Sequence, residues 1–202
     1  MTTHARGPMG RFWLGSVADE LLRDAPCPIF LIHPHDKALN VKQETAIKNI
    51  LVPLDGSAFA EQVLESAVSL GKLNDAGYTL LRVIQPIQAM TLPAGTGSFG
   101  EMAHRMIERV DVLQEQLRKE AQEYLERTAA RFRTQGLTVT TQVAIAEQPG
   151  VAILESARPP VDLIALESHG RRGLSRLFLG SVADKVVRGA GVPVLVARPH
   201  NR

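Results

Sequence analysis

The residues best suited to chemistry are gathered in one stretch, Ser168-His169-Gly170-Arg171-Arg172-Gly173, which runs on through Arg176 to Leu179-Gly180-Ser181. Glycine lets backbone N–H groups approach a ligand closely. A helix opening at Gly180-Ser181 offers unpaired N–H donors and partial positive charge, the chemistry of an anion site. Ser181 can cap that helix or donate to a phosphate oxygen. Taken alone, the same stretch also suits a plain strand-to-helix loop, with its arginines a solvated basic surface. Asp55 is the second chemical residue. It closes an apolar run that starts near Lys48 and precedes Gly56-Ser57, where aspartate serves either a ligand or a turn. Histidine titrates near neutrality, but no Ser/Asp pair accompanies His169 in sequence.

These residues need a frame, and the hydrophobic pattern predicts one. A buried strand over Lys48–Asp55 feeds a helix with Ser57 as N-cap and an apolar stripe of Val63, Ala67, Val68 and Leu70. A second strand covers Tyr78–Ile84. A Pro- and Gly-rich loop follows over Gln85–Gly100, then an amphipathic helix from about Glu101 to Gln135 that Gly136 stops. Leu137–Ala144 reads as a strand, Pro149–Ala157 as a short helix, Val161–Leu166 as a continuous apolar strand, and Pro193–Ala197 as the last strand. Strands alternating with helices predict an α/β fold: a five-stranded parallel sheet, doubly wound and Rossmann-like. Ligands of such sheets sit beyond the strand C-termini at the topological switch point. Asp55, Val83 and the segment from Glu167 to Ser181 all fall at or after strand ends. Gly95-Thr96-Gly97-Ser98-Phe99-Gly100 matches G-x-G-x-x-G, but no strand stands immediately before it, so it is read as a loop.

The chain also repeats itself. With an offset of 165, residues 4–34 lie over residues 169–199 with 13 identities in 31 positions and no gap. Leu14-Gly15-Ser16-Val17-Ala18-Asp19 matches Leu179-Gly180-Ser181-Val182-Ala183-Asp184, and Pro28 matches Pro193. Residues 1–34 are therefore expected to be the closing part of a first domain, 35–46 a polar linker, and 47–202 a complete second domain. The first copy has Ala5 and Pro8 where the second has Gly170 and Gly173, so it is not expected to form a site of its own. Its strand, near Pro28–His33, lacks its neighbours and is expected to pair with Val192–Arg198, within the chain or between chains.

The Leu-Val-Pro-Leu-Asp-Gly-Ser run at 51–57, the Glu-Ser-His-Gly-Arg-Arg-Gly loop at 167–173, and the Leu-Gly-Ser-Val-Ala-Asp and Pro-Val-Leu-Val runs that follow resemble the universal stress protein family. The resemblance spans residues 47–199. It implies a five-stranded fold of the adenine nucleotide alpha hydrolase-like kind, usually dimeric through the last strands. It implies ATP binding in some members through Gly-x2-Gly-x9-Gly-Ser/Thr. Carried over, Asp55, flanked by Pro53 and Leu54, would meet the ribose or adenine. Val83 would sit by the adenine with its backbone. Leu166, Gly170, Arg171, Gly173, Gly180, Ser181 and Val182 would line the phosphate end. Mg²⁺ would come with ATP. This chain departs from the pattern at Glu167, where the first glycine should fall, and at Glu147. A carboxylate about 4 Å from a phosphate charge costs on the order of 4 kcal/mol at an effective dielectric near 20. The resemblance implies a regulatory module of the stress response, not an enzyme. A nucleotide-free dimerising module and a weak ATP hydrolase are the other readings.

Composition narrows the classes. A net charge of +2 gives no electrostatic case for nucleic acid or an anionic membrane. No apolar run reaches the roughly 18 residues of a membrane span, and the N-terminus lacks an apolar signal core, so a cytoplasmic protein is expected. P-loop and HExxH motifs are absent from the sequence. The single cysteine, Cys27, is expected to be a small buried hydrophobe.

Overall fold

The structure is a computed structural model that describes residues 20–22, 25, 27–32, 46–88, 98–167 and 180–197, with 98–104 as backbone alone. The elements in chain order are β1 (Ile29–Leu31), β2 (Asn49–Pro53), a 3₁₀ turn (Ala60–Gln62), α1 (Val63–Gly71), β3 (Gly77–Ile84), α2 (Ser98–Arg133), β4 (Val139–Ile145), α3 (Pro149–Ser156), β5 (Leu163–Glu167), α4 (Ser181–Gly189) and β6 (Val194–Ala197). They form one sheet in the order β1-β6-β5-β2-β3-β4.

The sheet has six strands where five were expected. Strands β2 to β6 are the parallel five. The sixth, β1, comes from the N-terminal copy of the repeat and pairs antiparallel with β6: Ile29 with Val196, Phe30 with Leu195, Leu31 with Val194. Of the two expected arrangements, pairing within the chain is the one seen. Cys27 departs from expectation. It is exposed, because β1 begins two residues later and the bend that holds Cys27 lies off the sheet edge.

Local chemistry explains the boundaries. Pro149 stands in the first turn of α3, where its missing N–H costs no hydrogen bond. Gly136, at φ +82°, ends α2 in the left-handed conformation that side chains resist. Its N–H donates to Arg133 O at 3.0 Å. Strand β5 runs one residue further than its apolar pattern indicated and ends on Glu167.

Two apolar layers cover the sheet. On one face Ile50, Val52, Leu54, Leu163, Ala165 and Leu195 pack under α1 and α2, with Val63, Ala67, Leu125 and Ala129 all below 1% exposed. On the other, Leu51, Leu81, Ile164, Leu166, Val194 and Val196 pack under α3 and α4. Alternate residues of β2, β5 and β6 divide between the layers, as a period of two requires. Burial on both faces is why these strands read as unbroken apolar runs. Leu22, in the helical turn at 20–22, belongs to the second layer and is 2% exposed.

Candidate functional site

The predicted residues that are described fall at three strand ends and one helix start. Strand β2 pairs with β3 on one side and β5 on the other, so the chain leaves β2 and β5 in opposite directions. A crevice at such a point is where ligands of open α/β sheets sit. Pro53 ends β2 half-buried. Leu54 is buried, and its N–H prolongs the pairing by donating to Leu81 O at 2.8 Å.

Asp55 is exposed and builds the turn that follows. Its Oδ1 accepts the Ser57 N–H at 2.9 Å, while Gly56 takes φ +86°. The side chain thereby stands in for a backbone acceptor. Ser57 Oγ accepts the Ala60 N–H at 3.1 Å, a turn bond that directs the chain into the 3₁₀ turn and α1. Ser57 is not the expected N-cap, since the cap positions are Phe59 and Gln62.

Val83 lies one residue from the end of β3, half-buried and opposite Ala144. Leu166 is buried on the α3/α4 side. Gly180 is the N-cap of α4, with no side-chain cap, and its carbonyl accepts the Asp184 N–H at 2.8 Å. Ser181 is thus the first helical residue and not the cap. It and Val182 are exposed. Strands β5 and β6 are parallel with α4 between them in the chain, and a helix joining such strands starts at the carboxyl edge. Gly170, Arg171 and Gly173 lie outside the described residues.

Sequence comparison decides the family. The family model described as Universal stress protein family matches residues 46–198. The chain belongs to the universal stress protein family. It is 29% identical over 196 residues to universal stress protein Rv2005c of Mycobacterium tuberculosis, covering 96% of this chain and 59% of that one. It is 30% identical over 156 residues to universal stress protein MJ0531 of Methanocaldococcus jannaschii, covering 77% and 84%. The chain therefore spans about three-fifths of the mycobacterial relative's length. Among solved structures, hypothetical protein MJ0577 superposes with a TM-score of 0.60 at 28% identity, covering 78% of this chain and 99% of that one.

Two features of this universal stress protein were not picked out as site residues from sequence. The first is Arg82 of β3. A Cβ on Gly56 would fall 2.1 Å from its Nη1, so the guanidinium packs directly on the Asp55 turn, where φ +86° already favours glycine. Its Cζ stands 5.1 Å from the centre of the Tyr124 ring. The Tyr124 hydroxyl donates to Glu61 at 3.1 Å, and Arg131 bonds the other oxygen of Glu61 at 2.8 Å. Burial, then the Glu61 charge, push the Tyr124 hydroxyl up to about 12, so it remains a donor. The signal was present: Arg82 is the one charged residue in Gly77–Ile84.

The second is Glu167. It was noted as a departure from the glycine pattern, and it proves to be the last residue of a buried strand. It is 6% exposed, and neither carboxylate oxygen has a hydrogen-bond partner. Burial, then the negative charge of Asp55, push its carboxyl up to about 7. That places two acids from adjacent strand ends, β2 and β5, within electrostatic reach of each other. Among the described residues no group of three or more His, Cys, Asp or Glu is placed to hold a metal, and no helix is long and apolar enough to cross a membrane.

Proposed function

We propose that this universal stress protein binds an adenine nucleotide in the crevice at the carboxyl edge and works as a nucleotide-responsive regulatory module in the cytoplasm, not as an enzyme. The observation that carries the reading is the joint placement of the Asp55 turn and the α4 start on either side of the β2/β5 switch point. Adenine and ribose are assigned to Asp55 and the Val83 backbone. The phosphates are assigned to the loop bearing Gly170, Arg171 and Gly173 and to Gly180, Ser181 and Val182, where helix N–H groups suit an anion. ATP would bring Mg²⁺ with its phosphates.

Calorimetric titration of ATP and Mg²⁺ into the full chain tests this. Binding is expected, and Asp55→Ala or Gly180→Val is expected to weaken it at least about tenfold, roughly 1.4 kcal/mol. Equal affinity in parent and both variants overturns the assignment. Glu167 favours a second reading, a nucleotide-free dimerising module whose site has been lost, because a buried acid stands where the family pattern has glycine. Binding by Glu167→Gly with none by the parent would establish that reading instead.

We further read residues 1–34 as the closing part of a preceding unit and 35–46 as its linker. The pairing of β1 with β6 and the packing of Leu22 beside Val187, its counterpart in the repeat, support this. A homodimer through the last strands would need the β6 edge that β1 occupies.

A further inference from the structure

Strand β5 is Leu-Ile-Ala-Leu-Glu, buried at every position. Glu167 shares a face with Leu163 and Ala165 by the two-residue alternation, so its neighbours are the apolar residues of the α1 side, among them Leu54, Ala60, Val63 and Ala197. A carboxylate with no hydrogen bond in such a setting is costly as an anion and tolerable as a neutral acid.

Strand β3 brings the Arg82 guanidinium to the Asp55 turn, where it packs on Gly56 and faces the Tyr124 ring without a hydrogen bond to Glu167. Strand β2 brings Asp55, of the same sign. The 3₁₀ turn brings Glu61, which is engaged with Tyr124 and Arg131. Helix α4 brings Asp184, paired with Arg188 at 2.8 Å. Strand β6 brings only apolar residues. His169, Arg171, Arg172 and Arg176 follow in sequence, outside the described residues.

We propose that Glu167 gates the crevice by charge: it must be the neutral acid for an anionic nucleotide tail to enter, so binding draws a proton from solvent onto its carboxyl group wherever that group is ionised, nearly none at about pH 6 and nearly one at about pH 8. This rests on the nucleotide reading above and adds its regulation. An ionised Glu167 would add its charge to those of Asp55 and the phosphates; the Arg82 guanidinium packs on the Asp55 turn, and the neighbouring charge that acts on Glu167 is that of Asp55. Its carboxyl titrates at about 7 before any ligand arrives, so small changes around neutrality switch the gate. A nucleoside, carrying no phosphate, would not be gated.

The test is calorimetry on the full chain with ATP and with adenosine at about pH 6 and about pH 8, in two buffers of different ionisation heat so that proton uptake is read directly. One linked proton with a pKa near 7 lowers ATP affinity about tenfold between those pH values, while adenosine affinity stays level. Glu167→Gln, uncharged and of the same shape, is expected to lose that tenfold dependence. The phosphate's own titration near pH 6 is common to both proteins and cancels in the comparison.

Identical pH profiles for ATP in parent and Glu167→Gln overturn the gate while leaving the nucleotide reading intact. No binding of ATP or adenosine by parent, Glu167→Gln or Glu167→Gly at any pH overturns the nucleotide reading and the gate with it. Should Glu167→Gln not fold, Glu167→Gly serves the same comparison. The unliganded protein gives an independent readout. The unfolded carboxyl titrates near about 4.3, so between about pH 4.3 and 7 the folded chain holds a proton that the unfolded chain has released. Stability then falls as pH rises through that window. The melting temperature of the parent is expected to drop relative to Glu167→Gln from about pH 5 to 8, and a constant difference means Glu167 is not the group that titrates.

Discussion

Strands β1 and β6 are two copies of one sequence pattern in different surroundings. The 165-residue offset relates Ile29 to Val194, Phe30 to Leu195 and Leu31 to Val196. The observed partners are Ile29 with Val196, Phe30 with Leu195 and Leu31 with Val194. Exchanging the two copies leaves this register unchanged, so the pair has a local twofold through Phe30 and Leu195. The surroundings break the symmetry. β6 lies between β5 and β1 and is buried at all four positions, whereas β1 has one neighbour and is buried only at Leu31. Sequence pattern sets which residues face the core layers. The number of strands alongside sets how much each face contributes.

The largest expected effect comes from placing the same charge at the two symmetric positions. Leu195→Asp puts a carboxylate at a site 6% exposed, inside the α1/α2 layer and between two strands. It is expected to cost more than about 4 kcal/mol and to abolish cooperative folding. Phe30→Asp, at the half-buried edge, is expected to cost about 1–2 kcal/mol and leave the parallel sheet intact. Denaturant melts of both variants, followed by circular dichroism, decide it. Equal losses would mean that β1 is as integral to the domain as β6.

The next effect is on assembly. The twofold register means that a second β6 could pair with β6 as β1 does, Leu195 on Leu195. An open antiparallel edge invites that pairing, and a twofold interface closes on itself. Removing residues 1–40 is expected to bare the edge and let two truncated chains pair, so that sedimentation reads twice the mass of one truncated chain. A truncated protein with the mass of one truncated chain would show that β1 is not a stand-in for a partner strand.

Much of this frame was legible in the sequence, and the limits have physical causes. Strands β2, β5 and β6 announced themselves because both faces are buried and nearly every residue had to be apolar, whereas β4 showed itself by alternation. The sixth strand was legible only through the repeat, since three residues at an edge carry little pattern of their own. Cys27 looked like core because its neighbours Ile29 to Leu31 are apolar, yet the sheet begins two residues later. At the site, Asp55, Gly180 and Ser181 were legible because turns and helix starts demand particular residue types. The Arg82 contact with Gly56 was not, since it joins residues 26 positions apart through tertiary packing. Nor was the burial of Glu167, because an acid at the end of an apolar run reads as the start of a loop.

The smallest effect returns to position against type, now with two serines. Both Ser57 and Ser181 follow a glycine and precede a helix, so both were candidate caps. Neither is the cap residue itself, but Ser57 bonds the turn that leads into its helix, accepting the Ala60 N–H at 3.1 Å. Gly180 takes the cap position of α4 with extended ψ 149°, which moves Ser181 one step into the helix, off the cap position. Ser57→Ala is expected to cost about 1 kcal/mol by leaving that N–H unsatisfied. Ser181→Ala is expected to leave the unliganded protein within about 0.5 kcal/mol of the parent. If the hydroxyl is kept at Ser181 for the ligand, Ser181→Ala should weaken ATP binding in the same calorimetric titration while its melting curve stays unchanged, and Ser57→Ala should do the reverse. A stability loss of similar size in both would mean that the α4 start is capped through Ser181 after all, and that the serine is occupied by the fold and not held for a phosphate.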